Sequence, residues 1–172
     1  MSIFIIGYMG SGKSTVGKAL ASKMNLLFID LDNFIEKNES KSISSIFSTH
    51  GELYFRKLER SYLTKLIEGK ENYVISLGGG TPCYFDTINQ LIESQHSVVF
   101  CQASITTLTD RLFKEKAHRP MISHIESREF LQEFVGKHLF ERNPFYQKAN
   151  FKVIVDELSI DEIVDQIFSI LN

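Results

Sequence analysis

The chain has 172 residues, a length that fits one domain with a single well-packed core. Hydrophobic residues make up 43% of it and charged residues 23%, and both fractions are ordinary for a globular protein. The formal net charge of −2 provides no overall positive field, which argues against nucleic acid as a partner. No stretch approaches the roughly 20 apolar residues of a transmembrane helix, so we expect no membrane partner.

The two cysteines, Cys83 and Cys101, have no metal-type spacing, and the five histidines form no HxxxH or HExxH cluster. A transition-metal enzyme is therefore not expected. The apolar start of the chain, residues 1–7, is too short for a signal peptide and lacks a basic segment. We therefore expect reduced thiols that pack in the core, and a cytoplasmic location.

Short and long segments alternate regularly through the chain. Five short runs rich in apolar and β-branched residues predict strands at 3–6, 26–29, 73–77, 97–101 and 152–155. Between them, helical periodicity predicts helices at 13–24, 33–39, 43–49, 52–67, 85–94, 106–114, 128–146 and 160–171. Nearly continuous apolar strands separated by helices are typical of a parallel α/β sheet covered on both faces. The sequence thus predicts a single domain over residues 1–172, with Pro82, Pro120 and Pro144 at loops or helix breaks.

Two segments break this alternation. The chain between the second and third predicted strands is mostly helical and far longer than a simple crossover requires. After the fourth predicted strand, residues 115–127 are polar and have neither helical nor strand periodicity. Because long excursions in compact domains are commonly lids or binding elements, we expect such roles here. For the second segment a solvated loop is the alternative.

Residues 7–14 (GYMGSGKS, the P-loop) match the pattern GxxxxGK[ST] between a predicted strand and a predicted helix. Gly7, Gly10 and Gly12 allow successive backbone N–H groups to point at phosphate oxygens, and the helix N-terminus adds partial positive charge. We expect Lys13 to reach the β- and γ-phosphates and the Ser14 hydroxyl to coordinate Mg²⁺. The pattern predicts an ATP or GTP site with Mg²⁺ as cofactor, and it leaves the acceptor open.

Two aspartates follow the second predicted strand, whereas the third and fourth predicted strands end without a carboxylate. Because residues two apart in an extended segment point the same way, we expect Asp30 and Asp32 to face the crevice at the carboxyl edge of the sheet. Asp30 would then help to hold Mg²⁺, and Asp32 would face the acceptor hydroxyl. The alternative is that Asp32 only caps the helix predicted from Asn33.

Three consecutive glycines, Gly78, Gly79 and Gly80 (the triple-glycine turn), follow the third predicted strand. Glycines weaken a strand end, so we expect a bound substrate or phosphate to approach this backbone closely. An ordinary loop is the alternative.

Three arginines lie near the segments expected to form the crevice. A guanidinium clamps a carboxylate or neutralises a transferring phosphoryl group, which makes Arg56, Arg119 and Arg142 candidates for these roles. Glu59 lies three residues from Arg56 on a predicted helix and is placed to orient it. Each arginine taken alone also fits an ordinary solvated surface position.

The order and approximate spacing of six motifs resemble those of the shikimate kinase family over nearly the whole chain. The motifs are the P-loop, Asp30-x-Asp32, Phe55-Arg56-x-x-Glu59, the triple-glycine turn, Arg119-Pro120 and Arg142-x-Pro144-x-Tyr146. The resemblance implies a three-layer P-loop kinase fold with a five-stranded parallel sheet in the order 2-3-1-4-5 and helices on both faces. It also implies a helical substrate-binding insertion over about residues 32–62 and a lid over about residues 112–127.

By the same resemblance, the chain transfers the γ-phosphate of ATP to the 3-hydroxyl of shikimate, in the pathway to aromatic amino acids. Shikimate would be held by Asp32, Arg56, Gly78, Gly79, Gly80 and Arg142, with its carboxylate on the two arginines. ATP would be bound by Gly10, Ser11, Gly12, Lys13, Ser14, Thr15, Arg111 and Arg119. Catalysis would use Lys13, Asp32 and Arg119, with Ser14 and Asp30 at Mg²⁺.

In the same family, Arg111 would stack on adenine and Arg119 would lie on a closing lid. Residues 155–159, which should border the adenine, match the family only loosely, so no contact is predicted there. We expect a monomer.

Other functions remain open from the residues themselves. A related small-molecule kinase, such as a gluconate kinase or a nucleoside monophosphate kinase, would share the P-loop, and gluconate also carries a carboxylate. A regulatory module would bind ATP without turning it over. The Phe-Arg-x-x-Glu motif and the triple-glycine turn favour shikimate, and the intact set of Lys13, Ser14, Asp30 and arginines favours an enzyme.

Overall fold

The computed structural model describes residues 1–119 and 121–171. Five parallel strands form one sheet in the order β2-β3-β1-β4-β5, as predicted. The strands are β1 (Ile3–Ile6), β2 (Leu27–Asp30), β3 (Tyr73–Ser76), β4 (Ser97–Gln102) and β5 (Phe151–Ile154). Each lies within one residue of its predicted bounds.

The helices also follow the prediction closely. They are α1 (Lys13–Met24), α2 (Leu31–Glu39), α3 (Ile43–His50), α4 (Glu52–Glu68), α5 (Thr87–Glu93), α6 (Ile105–Glu115), α7 (Arg128–Tyr146) and α8 (Ile160–Leu171). Short 3-10 turns cover Thr81–Cys83 and Lys116–His118. No described helix is both long and apolar enough to span a membrane.

The core lies on both faces of the sheet, and β1 shows why. Its alternate side chains point to opposite faces, and all four are at most 1% exposed. Phe4 and Ile6 join a cluster that reaches α4 and α7, whereas Ile3 and Ile5 pack with residues of α1 and α8. The result is the predicted three-layer arrangement. β1 is the central strand, and the P-loop follows it at the carboxyl edge of the sheet.

Two local predictions were wrong. Pro144 lies inside α7 and does not break it. The turn that follows is held by tertiary contacts, because Tyr146 is fully buried and its hydroxyl donates to the Gly79 carbonyl at 2.5 Å. The first helix of the insertion begins at Leu31, not at Asn33, because Asp30 is its N-cap and accepts a hydrogen bond from Asn33 N at 3.3 Å.

The two unusual segments take different forms. Helices α2, α3 and α4 fill the stretch between β2 and β3, as expected for a helical insertion. Residues 115–127 contain a 3-10 turn and further turns, and Pro120 lies outside the described residues. This segment is not simply solvated, because the Ile122 side chain is completely buried and Lys116 Nζ donates to Ile125 O at 3.0 Å.

Candidate active site

The P-loop is fixed by its own backbone. Gly10 and Gly12 have φ angles of +80° and +87°, which side chains other than glycine rarely adopt. Ser11 N donates to Tyr8 O at 3.2 Å, and Gly12 is the N-cap of α1. Because Gly12 offers no side-chain acceptor, the first N–H groups of α1 have no side-chain cap there and remain available for phosphate oxygens.

Lys13 is held at the same loop. Its ammonium donates to Tyr8 O at 3.2 Å, and within the described ranges no carboxylate lies within 4.0 Å of it. Burial lowers the pKa of Lys13, and the negative charges of Asp32 and Asp30 act in the opposite direction. The cation is therefore close to carboxylates without being paired, and an incoming phosphate would compensate its desolvation.

Three oxygen-bearing side chains meet beside the loop. Ser14 Oγ donates to Asp30 Oδ2 at 2.8 Å and lies 3.1 Å from Ser76 Oγ. The strand register places Asp30 opposite Ser76, so the ends of β2 and β3 bring them together. Ser76 was not predicted, since a single serine in an apolar strand carries little signal.

These oxygens fit Mg²⁺, which takes hard oxygen ligands and usually retains waters. No cluster of three or more His, Cys, Asp or Glu that could hold a metal occurs in the described part of the chain. A hydroxyl and one carboxylate beside a phosphate site are what a nucleotide-bound Mg²⁺ requires from protein.

Asp32 lies two residues after Asp30, at the start of α2. It occupies the first turn of α2, so the extended geometry that led us to pair it with Asp30 was wrong, and so was the alternative that it caps this helix. Both carboxylates nevertheless line the same cleft. Burial raises the pKa of Asp32 to about 6, and the nearby charges of Glu59 and Asp30 add to the shift, whereas Lys13 and Arg56 oppose it.

The triple-glycine turn is approached by side chains of the protein itself. A Cβ on Gly80 would lie 2.6 Å from Arg56 Nη2, and one on Gly79 would lie 3.5 Å from Arg142 Nη1. At Gly78 a Cβ would meet Asp32 Oδ1 at 3.1 Å. Side chains at Gly80 and Gly78 would crowd Arg56 and Asp32, whereas Arg142 lies at ordinary contact distance from Gly79, so all three side chains lie against one turn.

Arg56 is already oriented before any substrate arrives. Its Nη1 donates to Glu59 Oε2 at 2.6 Å, and its Nη2 donates to Glu52 Oε1 at 3.2 Å. Glu59 is 1% exposed and also accepts from the Thr81 hydroxyl at 2.5 Å. The Tyr84 ring lies 4.6 Å from the guanidinium carbon. The predicted role of Glu59 in orienting Arg56 matches this geometry.

Arg142 is held differently. Its guanidinium carbon lies 5.8 Å from the centroid of the Tyr8 ring, and it interacts with the Tyr146 hydroxyl. Within residues 1–119 and 121–171, no carboxylate lies within 4.0 Å of it. Arg142 is therefore the acceptor-side cation that remains open to an external carboxylate.

The remaining predicted arginines, Arg111 and Arg119, lie close to the P-loop. Arg111 on α6 donates from Nη1 to Gly10 O at 3.2 Å. Arg119 follows the 3-10 turn after α6 and pairs with Glu115 at 2.7 Å, with its side chain 35% exposed. Both line the cleft, together with Leu158 and Ile160, which the sequence reasoning left out.

The cleft itself has a volume of about 430 Å³, in the usual range for a ligand site. The predicted residues that line it are Gly10, Ser11, Gly12, Lys13, Ser14, Thr15, Asp30, Asp32, Gly78, Gly79, Arg111 and Arg119. Arg56, Gly80 and Arg142 do not line this volume and adjoin it through the triple-glycine turn. The structure thus brings most of the predicted residues into one cleft and places Arg56, Gly80 and Arg142 beside it, around the triple-glycine turn.

A parallel sheet in this order, with a P-loop after its central strand and helices on both faces, defines a P-loop kinase. A family model described as shikimate kinase matches residues 9–172, and the chain belongs to the shikimate kinase family. The shikimate kinase of Flavobacterium johnsoniae is 45% identical over 171 residues, which cover 98% of each chain.

Solved structures agree with this assignment. The shikimate kinase of Bacteroides thetaiotaomicron superposes with a TM-score of 0.91 at 36% identity, over 99% of this chain and 98% of that one. The shikimate kinase of Acinetobacter baumannii, solved in complex with shikimate, gives a TM-score of 0.84 at 27% identity, over 99% and 92% of the two chains. The predicted family, fold and ATP-dependent kinase class are confirmed, and the gluconate kinase alternative is disfavoured.

Proposed function

We propose that the chain transfers the γ-phosphate of ATP to the 3-hydroxyl of shikimate, giving shikimate 3-phosphate and ADP. This reaction would serve the synthesis of chorismate and the aromatic amino acids. The observation that carries the proposal is the convergence of Arg56 and Arg142 on the triple-glycine turn, directly beside the P-loop cleft. Two guanidinium groups around one glycine turn suit a planar carboxylate on a small acceptor.

On the donor side, the P-loop N–H groups and Lys13 would bind the β- and γ-phosphates. Arg119, released from Glu115, would neutralise charge on the transferring phosphoryl group. Arg111 would contact the adenine from α6, in the cleft that Leu158 also lines. Most of the rate enhancement would come from in-line positioning and charge neutralisation, because phosphoryl transfer has a loose transition state.

Ser14 and Asp30 would hold Mg²⁺, with Asp30 acting directly or through water. Bound there with ATP, the ion would neutralise charge on the phosphate oxygens. The hydrogen bond between Ser14 Oγ and Asp30 Oδ2 already brings the two ligands within 2.8 Å of each other.

Asp32 would face the acceptor hydroxyl, orient it towards the γ-phosphate and accept its proton. Its position beside Gly78 and near Lys13 supports this role. With a pKa of about 6, the carboxylate is mostly ionised at neutral pH and still basic enough to share a proton. We expect positioning to matter more than proton removal, because little charge develops on the hydroxyl oxygen in a loose transition state.

Residues 32–62 would form the substrate-binding insertion and residues 112–127 the lid of one domain over residues 1–172. The insertion carries Asp32 and Arg56, and the segment after α6 carries Arg119, which supports both assignments. The free cysteines Cys83 and Cys101 are consistent with the expected cytoplasmic location. Action as a monomer stays a prediction.

A coupled assay for ADP release tests the proposal. Shikimate as sole acceptor should give rapid, Mg²⁺-dependent ADP formation with a stoichiometric phosphorylated product detected by mass spectrometry. Gluconate is the matched acceptor, because it also carries a carboxylate and hydroxyls, and should give turnover near the no-acceptor rate. Faster turnover with gluconate, or ADP release that does not respond to shikimate, would contradict the proposal.

A further inference from the structure

One face of α7 carries three polar side chains at a spacing of four residues, His138, Arg142 and Tyr146, which places them in line along the helix. Tyr146 and Arg142 face the triple-glycine turn. One turn earlier, His138 Nδ1 lies 2.9 Å from the hydroxyl of Tyr8 in the P-loop. The helix that carries the open acceptor arginine is therefore hydrogen-bonded to the loop that carries the donor lysine.

Tyr8 is 1% exposed, so its hydroxyl needs a partner inside the protein, and His138 is that partner. The two rings pack edge to face, with centroids 5.5 Å apart. A third ring, that of Phe134, lies 5.4 Å from His138 on the same helix. Packing and hydrogen bonding together fix where the Tyr8 ring lies.

The ionisation states of the two hydrogen-bonded side chains follow from their surroundings. Burial raises the pKa of Tyr8, so its hydroxyl stays protonated. Burial and the positive charge of Arg142 lower the pKa of His138, against the smaller opposing influence of Glu141. In its Nε2–H tautomer a neutral imidazole leaves Nδ1 bare, and Nδ1 then accepts a hydrogen bond from the Tyr8 hydroxyl.

The Tyr8 ring in turn supports Arg142, whose guanidinium carbon lies 5.8 Å from the ring centroid. Arg56 is oriented by Glu59 and Glu52, but in the described part of the chain Arg142 has no carboxylate within 4.0 Å to orient it. Two uncharged neighbours contact it directly, the Tyr8 ring and the Tyr146 hydroxyl.

We propose that Tyr8 and His138 are positioning residues for the acceptor: their hydrogen bond fixes the Tyr8 ring beside Arg142 and so directs Arg142 towards the acceptor carboxylate. The inference rests on the proposed function and deepens it. It makes the second residue of the P-loop a determinant of acceptor binding, although the loop around it binds the donor.

The test is a set of variants compared by steady-state kinetics with shikimate and ATP varied separately. Tyr8→Phe removes the hydroxyl and keeps the ring, and His138→Leu removes the acceptor nitrogen. Each should raise the KM for shikimate about three- to tenfold, the effect of one hydrogen bond, while the KM for ATP and kcat change less than about twofold. The KM for shikimate of the double variant should not exceed that of the more strongly affected single variant, because both substitutions remove the same interaction.

Two further variants separate positioning from general structure. His138→Asn places a polar atom near the position of Nδ1 and should restore the KM for shikimate towards the wild-type value. Tyr73→Phe is the matched control, because it removes a hydroxyl that is bonded to Glu71, away from the cleft. It should leave both KM values unchanged.

The inference fails if Tyr8→Phe and His138→Leu leave the KM for shikimate unchanged, or if they raise the KM for ATP equally. It also fails if the increase in the KM for shikimate in the double variant equals the product of the increases in the two single variants. Wild-type enzyme that turns over shikimate, combined with any of these results, overturns the positioning role alone. Wild-type enzyme without shikimate-dependent ADP release overturns the proposed function and this inference with it.

Discussion

The proposed phosphate-binding loop is one continuous segment, residues 7–14, whereas the proposed acceptor site is assembled from α4, the triple-glycine turn and α7. The donor loop uses backbone geometry, with glycines in the left-handed region and the N-terminus of α1. The acceptor side uses side chains that are separated by long stretches of chain and held by tertiary contacts. The proposed phosphate site therefore depends on local sequence, and the proposed acceptor site depends on the fold.

Within the described part of the chain, each side of the cleft combines a cation without a carboxylate partner and a paired one, and on the donor side the paired cation is Arg119, which contacts Glu115. Lys13 and Arg142 have no carboxylate within 4.0 Å in the described residues, whereas Arg56 is paired with both Glu59 and Glu52. Lys13 and Arg142 are thus available to incoming anions. Arg56 is fixed in advance, and it must share its charge between Glu59 and a substrate.

Removal of Lys13 should reduce kcat more than any other substitution considered. Lys13→Ala is expected to lower kcat by about a thousandfold, because it deletes a preorganised charge at the transferring phosphate. Lys18→Ala is the matched control, since Lys18 lies on the same helix and packs over the Phe28 ring. Single-turnover measurements with saturating ATP report the effect. A loss below tenfold would mean that backbone groups alone carry the donor site.

The two acceptor arginines should respond differently to truncation. Arg56→Ala and Arg142→Ala should each raise the KM for shikimate about 10- to 100-fold, since each loses a charged hydrogen bond. Arg56→Ala should also destabilise the fold by about 3 kcal/mol, because it leaves Glu59, which is 1% exposed, without its cation. Arg142→Ala leaves no such carboxylate and should cost less than about 1 kcal/mol.

Chemical denaturation of both variants measures this difference. Adding Glu59→Gln to Arg56→Ala is the control, because it removes the unpaired charge and should recover part of the lost stability. Equal destabilisation by the two arginine variants would contradict the contrast between a fixed and an open guanidinium.

Asp32 lies where the two sides meet, and its substitution should separate activity from stability. The pKa of about 6 lies above the ordinary value of 3.8, so the folded protein binds the proton more tightly than the unfolded chain. The favourable contribution is complete below about pH 3.8 and is lost as the pH rises through 6. Asp32→Asn should therefore stabilise the metal-free protein at neutral pH, by at most about 3 kcal/mol.

The same variant should lose about a hundredfold in kcat. Thermal unfolding with EDTA, followed from pH 4 to pH 8, measures the stability gain, which should shrink as the pH falls. Unchanged kcat would make Asp32 structural. A stability gain that is independent of pH would show that its charge is not the cause.

The sequence was sufficient for the elements, the sheet order and the P-loop, because these follow from periodicity and from one contiguous motif. It was insufficient for contacts between distant residues. Tyr8 and His138 are 130 positions apart and lie in unrelated motifs, so no local pattern pairs them. Ser76 reaches Ser14 only because β2 and β3 end in register.

The errors have a similar origin. The helical start at Leu31 was missed because Asp30 and Asp32 are both good N-cap residues, and tertiary packing decides between them. Leu31 is fully buried, which favours the earlier helix start. Pro144 was expected at a break, but the buried Tyr146 holds the last turn of α7 in place.

The smallest expected effect lies at that last turn. Tyr146→Phe removes the hydroxyl that donates to the Gly79 carbonyl at 2.5 Å and keeps the ring beside Phe100. We expect a loss of about 1 kcal/mol in stability and a rise of about fivefold in the KM for shikimate, because the triple-glycine turn loses an anchor between the two arginines. The KM for ATP should not change, since the P-loop is fixed by its own backbone.

Tyr62→Phe is the matched control, because its hydroxyl donates a hydrogen bond to Glu39, in another part of the insertion. An equal rise in the KM for shikimate and the KM for ATP would show that the acceptor site and the P-loop do not act independently. It would contradict the contrast between a donor site made by local sequence and an acceptor site assembled from distant residues.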